Sequence, residues 1–310
     1  MEKNVLFEIG TEFIRSDLAC ECAAISRENL GEKGYREQTS EEGFELIKAE
    51  IKTAADEEKT GKPRGRYLTV LCGKISELDD IEAKALSRCI AREIREFVRF
   101  ACKRADEKQL CVLIAGLGNA KMTPDAIGPE AVSRLTATNH IASIDPELFD
   151  SLGCARLCAF SPGVLGDTGI ESVELIRGAA KGAGADVAVV IDALASRSSE
   201  RLAATVQISD SGITPGAGVG NRRSEISERT LGIPVIALGI PTVIDCATIV
   251  FDALGEREVD ENTLALLRGQ KSFFVAPKEC DKITRRAACV IADAIDTAFG
   301  IKRAQEPYIL

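Results

Sequence analysis

Two aspartates stand where an α/β chain could do chemistry: Asp125 in VLIAGLGNAKMTPDAIGPEAV (112–132) and Asp192 in VVIDALASR (189–197). Each follows an apolar run that reads as a strand, which would bring both carboxylates to one edge of a sheet. Two carboxylates held close in a partly desolvated cleft cannot both ionise. One keeps its proton and can polarise a carbonyl, while the other draws a proton from water. That pairing suits amide hydrolysis without a nucleophilic side chain. Plainer roles account for the same residues. An acid in the first turn of a helix stabilises the dipole by about 0.3–1 kcal/mol, and Asp at a strand end is a common turn former. Residue types and spacing leave both readings open.

The glycines ahead of Asp125 invite a phosphate-binding reading, because a helix N-terminus offers free N–H groups. The details oppose it: a dinucleotide fingerprint wants a third Gly where Lys121 stands, and the Gly-Lys-Ser/Thr of a P-loop is absent. PGAGVGNRR (215–223) has Asn221 in place of its third Gly and reads as a flexible loop, or one that contacts an anion through Arg222 and Arg223. No cofactor is expected. GDTG (166–169) and SDSG (209–212) carry the Asp-Thr/Ser-Gly tripeptide of pepsin-like proteases. They lie among alternating strands and helices, however, and turn chemistry explains both.

A bound metal is the competing use of two carboxylates. Cys20-x-Cys22 and Cys154-x₃-Cys158 lack zinc-site spacing, and the one imidazole, His140, is expected at the C-terminal end of a helix over 125–139, where it would serve the dipole. No metal is expected. The 11 Cys, an odd number, read as reduced and mostly buried thiols. A serine nucleophile elbow, G-x-S-x-G, is absent.

The elements that must position these residues alternate. Strands are expected at 67–73, 110–116, 155–160, 186–191, 203–208, 233–239 and 272–276, with helices at 79–103, 125–139, 169–181, 243–254 and 278–299. Alternation of apolar strands with helices predicts an α/β fold with a largely parallel sheet flanked by helices on both faces. The polar stretch 31–66 adds a small N-terminal elaboration, a short helix or hairpin ending in a Gly/Pro/Arg turn.

At 310 residues the chain can bury a full core, with 45% apolar and 28% charged residues. A net charge of −9 argues against direct nucleic-acid binding and for neutral or basic polypeptide partners. MEKNVLFEIG lacks a basic region followed by an apolar one, and no apolar run is long enough to span a bilayer. A soluble, internal protein with no membrane partner is the expectation.

With those residues in hand, the chain resembles the germination proteases of spore-forming bacteria. The likeness rests on RSDLACE (15–21), GLGNAKMTPDAIGP (116–129), SPGVLGDTGIES (161–172), VAVVIDALASR (187–197), SDSGITPGAGVGN (209–221) and LGIPVIALGIPTVIDC (231–246), in the same order. It implies an endopeptidase that degrades small acid-soluble spore proteins in the spore core, works as a homo-tetramer, and uses an aspartate pair that matches Asp125 and Asp192. It also implies a fold similar to hydrogenase maturation endopeptidases (phosphorylase/hydrolase-like), whose further metal ligands, a His among them, have no match here. A metal-dependent hydrolase on the same fold is therefore the alternative. The family is made as a zymogen that removes its own N-terminal segment. In GTEFIRSD the Thr11-Glu12-Phe13 step before Ile14 resembles the family's substrate sites, implying a self-removed propeptide at 1–13, cleavage between Phe13 and Ile14, and a single peptidase domain at 14–310.

Overall fold

Continuous apolar sequence makes β4 (Cys111–Gly116) and β6 (Val187–Ser196) the parallel centre of the sheet, because a strand covered on both faces needs apolar side chains in both directions. The computed structural model describes residues 16–22, 25–103, 110–218, 220, 223–254, 262 and 273–302. The helices that cover the sheet are α1 (Asp80–Cys102), α2 (Ile127–Ser133), α3 (Ser172–Ala183), α4 (Cys246–Leu254) and α5 (Cys280–Ala298). Val112, Ile114, Val187, Val189 and Ile191 share one core with α1, α2 and α5. Leu113, Ala115, Ala188 and Val190 share the other with α3. The alternation of strand side chains between the two cores is the period-2 geometry of a pleated sheet.

The remaining strands are β1 (Tyr35–Thr39), β2 (Glu45–Ile51), β3 (Gly65–Leu71), β5 (Arg156–Phe160), β7 (Thr205–Ser209), β8 (Val235–Asp245) and the short β9 (Phe274–Val275). The sheet runs β1-β2-β3-β7-β8-β6-β4-β5, with β9 against β8. The expectation of a largely parallel sheet holds only for β5-β4-β6-β8. The β1–β2, β2–β3, β3–β7, β7–β8 and β8–β9 pairs are antiparallel, so the sheet is mixed. The cause lies in connection length: parallel neighbours need a crossover of about a dozen or more residues. The turn at 197–204 is shorter than that and sends β7 back antiparallel.

Stretch 31–66 is more than an appendage, since its hairpin β1–β2 extends the main sheet through β3. The helix expected over 125–139 stops at Ser133. His140 sits instead at the start of a short helix, Asn139–Ile144, and is exposed, so it serves no helix C-terminus. Of the cysteines, four are buried and seven half-buried, all as free thiols, fewer in the core than expected.

Candidate active site

β4 ends at Gly116, and α2 must start almost on top of it. A Cβ at Gly116 would stand 2.2 Å from the Gly128 carbonyl oxygen, and one at Gly128 would stand 2.2 Å from that of Leu117. The two glycines therefore let the strand end and the helix start touch backbone to backbone. Gly118, at φ +110°, brings the far side of the loop in: a Cβ there would lie 1.9 Å from the Asp125 carbonyl oxygen. The Asn119 N–H then donates to Asp125 Oδ2 at 2.8 Å. Thr242 Oγ1 donates to the Pro124 carbonyl at 2.6 Å and Thr284 Oγ1 to that of Thr123 at 2.9 Å, tying this turn to β8 and α5. Asp125 is not the cap of α2; that position is Ala126, with no side-chain cap. The glycine loop is thus a device for close packing that presents a carboxylate.

Asp192 does not close its own strand, as the sequence implied, because β6 runs on to Ser196. The strand that ends is its neighbour. The last β4–β6 rung pairs Gly116 with Ile191, so Asp192 is the first β6 residue without β4 beside it. It remains hydrogen-bonded to β8, opposite Gly239, and only 6% exposed. The Ala193 N–H donates to Asp192 Oδ1 at 2.9 Å.

Both aspartates line one cavity of about 520 Å³. Glu171 lines it too, and so does a fourth carboxylate, Asp17. It arrives on segment 16–22, which lies along the far end of β6: the Asp17 N–H donates to the Ala195 carbonyl at 3.0 Å, and the Ala195 N–H returns to Asp17 Oδ2 at 2.9 Å. Burial, then the charge of Asp125, then that of Asp17 hold the Asp192 carboxyl well above the ordinary Asp range, with the Ala193 N–H pulling the other way. Burial also raises Asp125, offset by its bond from Asn119. The environment thus favours the protonated form more strongly at Asp192 than at Asp125, which is the direction that acid and base roles in one cleft require. Leu165 and Phe274 give the cavity apolar wall, and Arg223 gives it a cation.

The other candidates go elsewhere. Asp210 of SDSG accepts from the Arg66 N–H at 2.6 Å and from Arg66 Nε at 2.8 Å, and Asp167 of GDTG pairs with Lys121 at 3.2 Å. Among the described residues no group of three or more His, Cys, Asp or Glu could hold a metal ion. Phe13, Ile14 and Arg222 lie outside the described residues. Sequence reasoning missed Asp17 as a site residue. It lies in RSDLACE, a segment that carries the family likeness but no pattern that points to chemistry.

A sequence model of the germination protease family matches residues 23–257. The chain belongs to the germination protease family. Its class is therefore that of an endopeptidase, a hydrolase of peptide bonds. The germination protease of Clostridium perfringens is 36% identical over 92% of this chain and 94% of its own length. The germination proteases of Priestia megaterium and Bacillus subtilis are 41% and 40% identical, each over 82% of this chain and 69% of their own length. Among the described residues no helix is long and apolar enough to cross a membrane.

Proposed function

We propose that this germination protease is made as a zymogen, processes itself, and begins the breakdown of small acid-soluble spore proteins in the spore core, with Asp125 and Asp192 as its catalytic pair. The observation that carries the reading is the shared cavity that both aspartates line, in which burial and the charges of Asp125 and Asp17 raise the Asp192 carboxyl well above the ordinary Asp range. Asp192 donates a hydrogen bond to the scissile carbonyl, while ionised Asp125 takes a proton from the attacking water. The water oxygen bonds to the carbonyl carbon, the C–N bond breaks, and the leaving amine takes up a proton from the pair. No metal or cofactor enters this scheme. Kinship with hydrogenase maturation endopeptidases is carried by the strand–GxGN–Asp arrangement, and assembly as a homo-tetramer by the family likeness.

Processing is proposed within GTEFIRSD, with residues 1–13 removed at Phe13–Ile14 and 14–310 left as the peptidase domain. One observation favours a second position. Asp17 lines the cavity with both aspartates, an apolar Leu18 follows it, and its carbonyl oxygen accepts from Lys62 Nζ and Gln207 Nε2, each at 3.1 Å. Incubating the full chain with a purified small acid-soluble spore protein, and sequencing the new N-termini of both, tests function and position together. A mature chain starting at Ile14 supports the first bond and one starting at Leu18 the second. An intact spore protein beside an unprocessed chain would sink the proposal.

The glycine geometry makes a further prediction. Gly118→Ala places a methyl against the Asp125 backbone in a strained φ region, so Asp125 must move. A displacement of about 1 Å at a catalytic group costs on the order of 10²-fold in rate. Steady-state cleavage is expected to show that loss in kcat, with a far-UV circular dichroism spectrum like that of the parent.

A further inference from the structure

β6 keeps an edge that β4 leaves open at the mouth of the cavity. Along a strand the main-chain groups alternate sides. The Ala188 N–H donates at 2.9 Å to the carbonyl of Pro234, just ahead of β8, and the Ile191 carbonyl accepts from the Leu117 N–H at 2.8 Å on the β4 side. Residues 191, 193 and 195 therefore present their N–H and C=O groups to the side where β4 runs, and β4 ends opposite Ile191. Pairing with β8 holds the other side through Ser196. Beyond Leu117, the next main chain on the open side is that of Asp17. Its N–H donates to the Ala195 carbonyl at 3.0 Å, and its Oδ2 accepts from the Ala195 N–H at 2.9 Å. Between them stands Ala193, on the cavity wall with Asp125 and Asp192. Its N–H is turned to Asp192 Oδ1. Among the described residues, none outside the sheet ladder donates to its carbonyl oxygen. A strand edge with unspent main-chain groups is a template for a further strand.

The chain's own segment gives the direction. Asp17 meets β6 at Ala195, and Glu21 accepts from the N–H groups of Arg197 and Ser198 at 2.6 and 2.9 Å, so 16–22 runs parallel to β6. In a parallel ladder one residue donates to a carbonyl of its neighbour strand and accepts from the N–H two residues further on. Ala193 and Ala195 offer that pair of groups, with the Asp17 side chain standing on the Ala195 N–H where a main-chain carbonyl would bond. We propose that the polypeptide substrate is held as a short parallel strand on the β6 edge beyond β4, one of its residues donating its N–H to the Ala193 carbonyl and accepting from the Ala195 N–H. The strand rests on the proposed proteolytic reading for its purpose, though not for its geometry. The bridging residue lies opposite Leu194 and those before it lie level with Asp192, so the scissile bond falls on its N-terminal side. Main-chain bonds of this kind align a substrate whatever its side chains, and leave sequence preference to the cavity wall. They also give a use to the unequal strand lengths. A bare edge beside the aspartates exists only because β4 stops and β6 does not.

The test removes one substrate N–H at a time. A labelled peptide of residues 10–19, GTEFIRSDLA, is made with each backbone N–H from residue 12 to 19 replaced in turn by an ester oxygen. Binding is titrated by fluorescence anisotropy to the full chain carrying Asp125→Asn, which prevents cleavage, and Asp17→Ala, which frees the Ala195 N–H. One ester is expected to weaken binding about tenfold, because it leaves the Ala193 carbonyl facing an oxygen, while the esters on either side stay within about twofold of the parent. The same series is read as kcat/KM on the chain without substitutions, so a variant that fails to fold does not decide the matter. Sequencing the products should place the sensitive N–H on the C-terminal side of the cut bond. Losses spread evenly over all positions, no loss at any position, no binding of the parent peptide to the folded variant, or a sensitive N–H on the N-terminal side of the cut would overturn the proposal. Cleavage of a spore protein by the chain without substitutions alongside any of those results leaves the catalytic reading standing. A single sensitive N–H with no cleavage would sink that reading and keep the strand, so the two failures are distinguishable.

Discussion

Asp192→Asn, and separately Asp125→Asn, is expected to lower peptide-bond cleavage by about 10²–10⁴-fold or more, the range for losing a general acid or base. Self-processing should fall by the same factor. Neither substitution removes a structural bond: Asn119 donates to Asp125 and Ala193 to Asp192, and an Asn side-chain oxygen accepts both. The two variants should also fail as a unit, so the double variant is expected to be no worse than the weaker single one, because groups that share one proton do not contribute additively. The measurement is kcat/KM on a spore-protein peptide, with N-terminal sequencing for processing. Full activity in either folded variant would remove the dyad. Activity that falls in Asp125→Asn and persists in Asp192→Asn would reassign the acid to another group on the cavity wall.

How much of this was readable in advance depended on whether local sequence carried the cause. β4, β6 and the α1 and α5 helices were legible because their apolar periodicity is a direct record of being covered. Asp125 and Asp192 could be paired from strand ends, although Asp192 reaches the cleft for a reason the sequence hides. It is β4 that stops at Gly116, while β6 continues, and a neighbour's length is a property of the sheet. The antiparallel wing is hidden because 31–66 carries only weak apolar periodicity and β3 is followed by a long helix as a parallel strand would be, and only the short turn at 197–204 betrays the reversal. Asp17 lies 175 residues before Asp192 in sequence yet shares its cavity. Contacts of that range leave no spacing to read. The glycines of 116–128 were visible as a pattern, but their purpose, backbone contact at 2.2 Å between β4 and α2, appears only in three dimensions.

The same acid should make the protein less stable as pH rises. Asp192, Asp125 and Asp17 all have folded-state pKa values raised above the ordinary value, chiefly by burial. A group of that kind binds its proton more tightly in the folded chain than in the unfolded one. Its contribution to stability is complete below the unfolded pKa, about 4 for Asp, and is lost as pH climbs through the folded value. Asn cannot titrate, so Asp192→Asn is expected to melt higher than the parent near neutral pH, by about 2–4 °C for each kcal/mol of buried charge relieved, and the gap should close as pH falls toward about 4. Thermal melts of both proteins across that range provide the check, and parallel curves would show that Asp192 carries no such strain. A variant that gains stability while losing catalysis is what a functional carboxylate held in a costly place must give, whereas a turn or capping aspartate would lose stability on the same change.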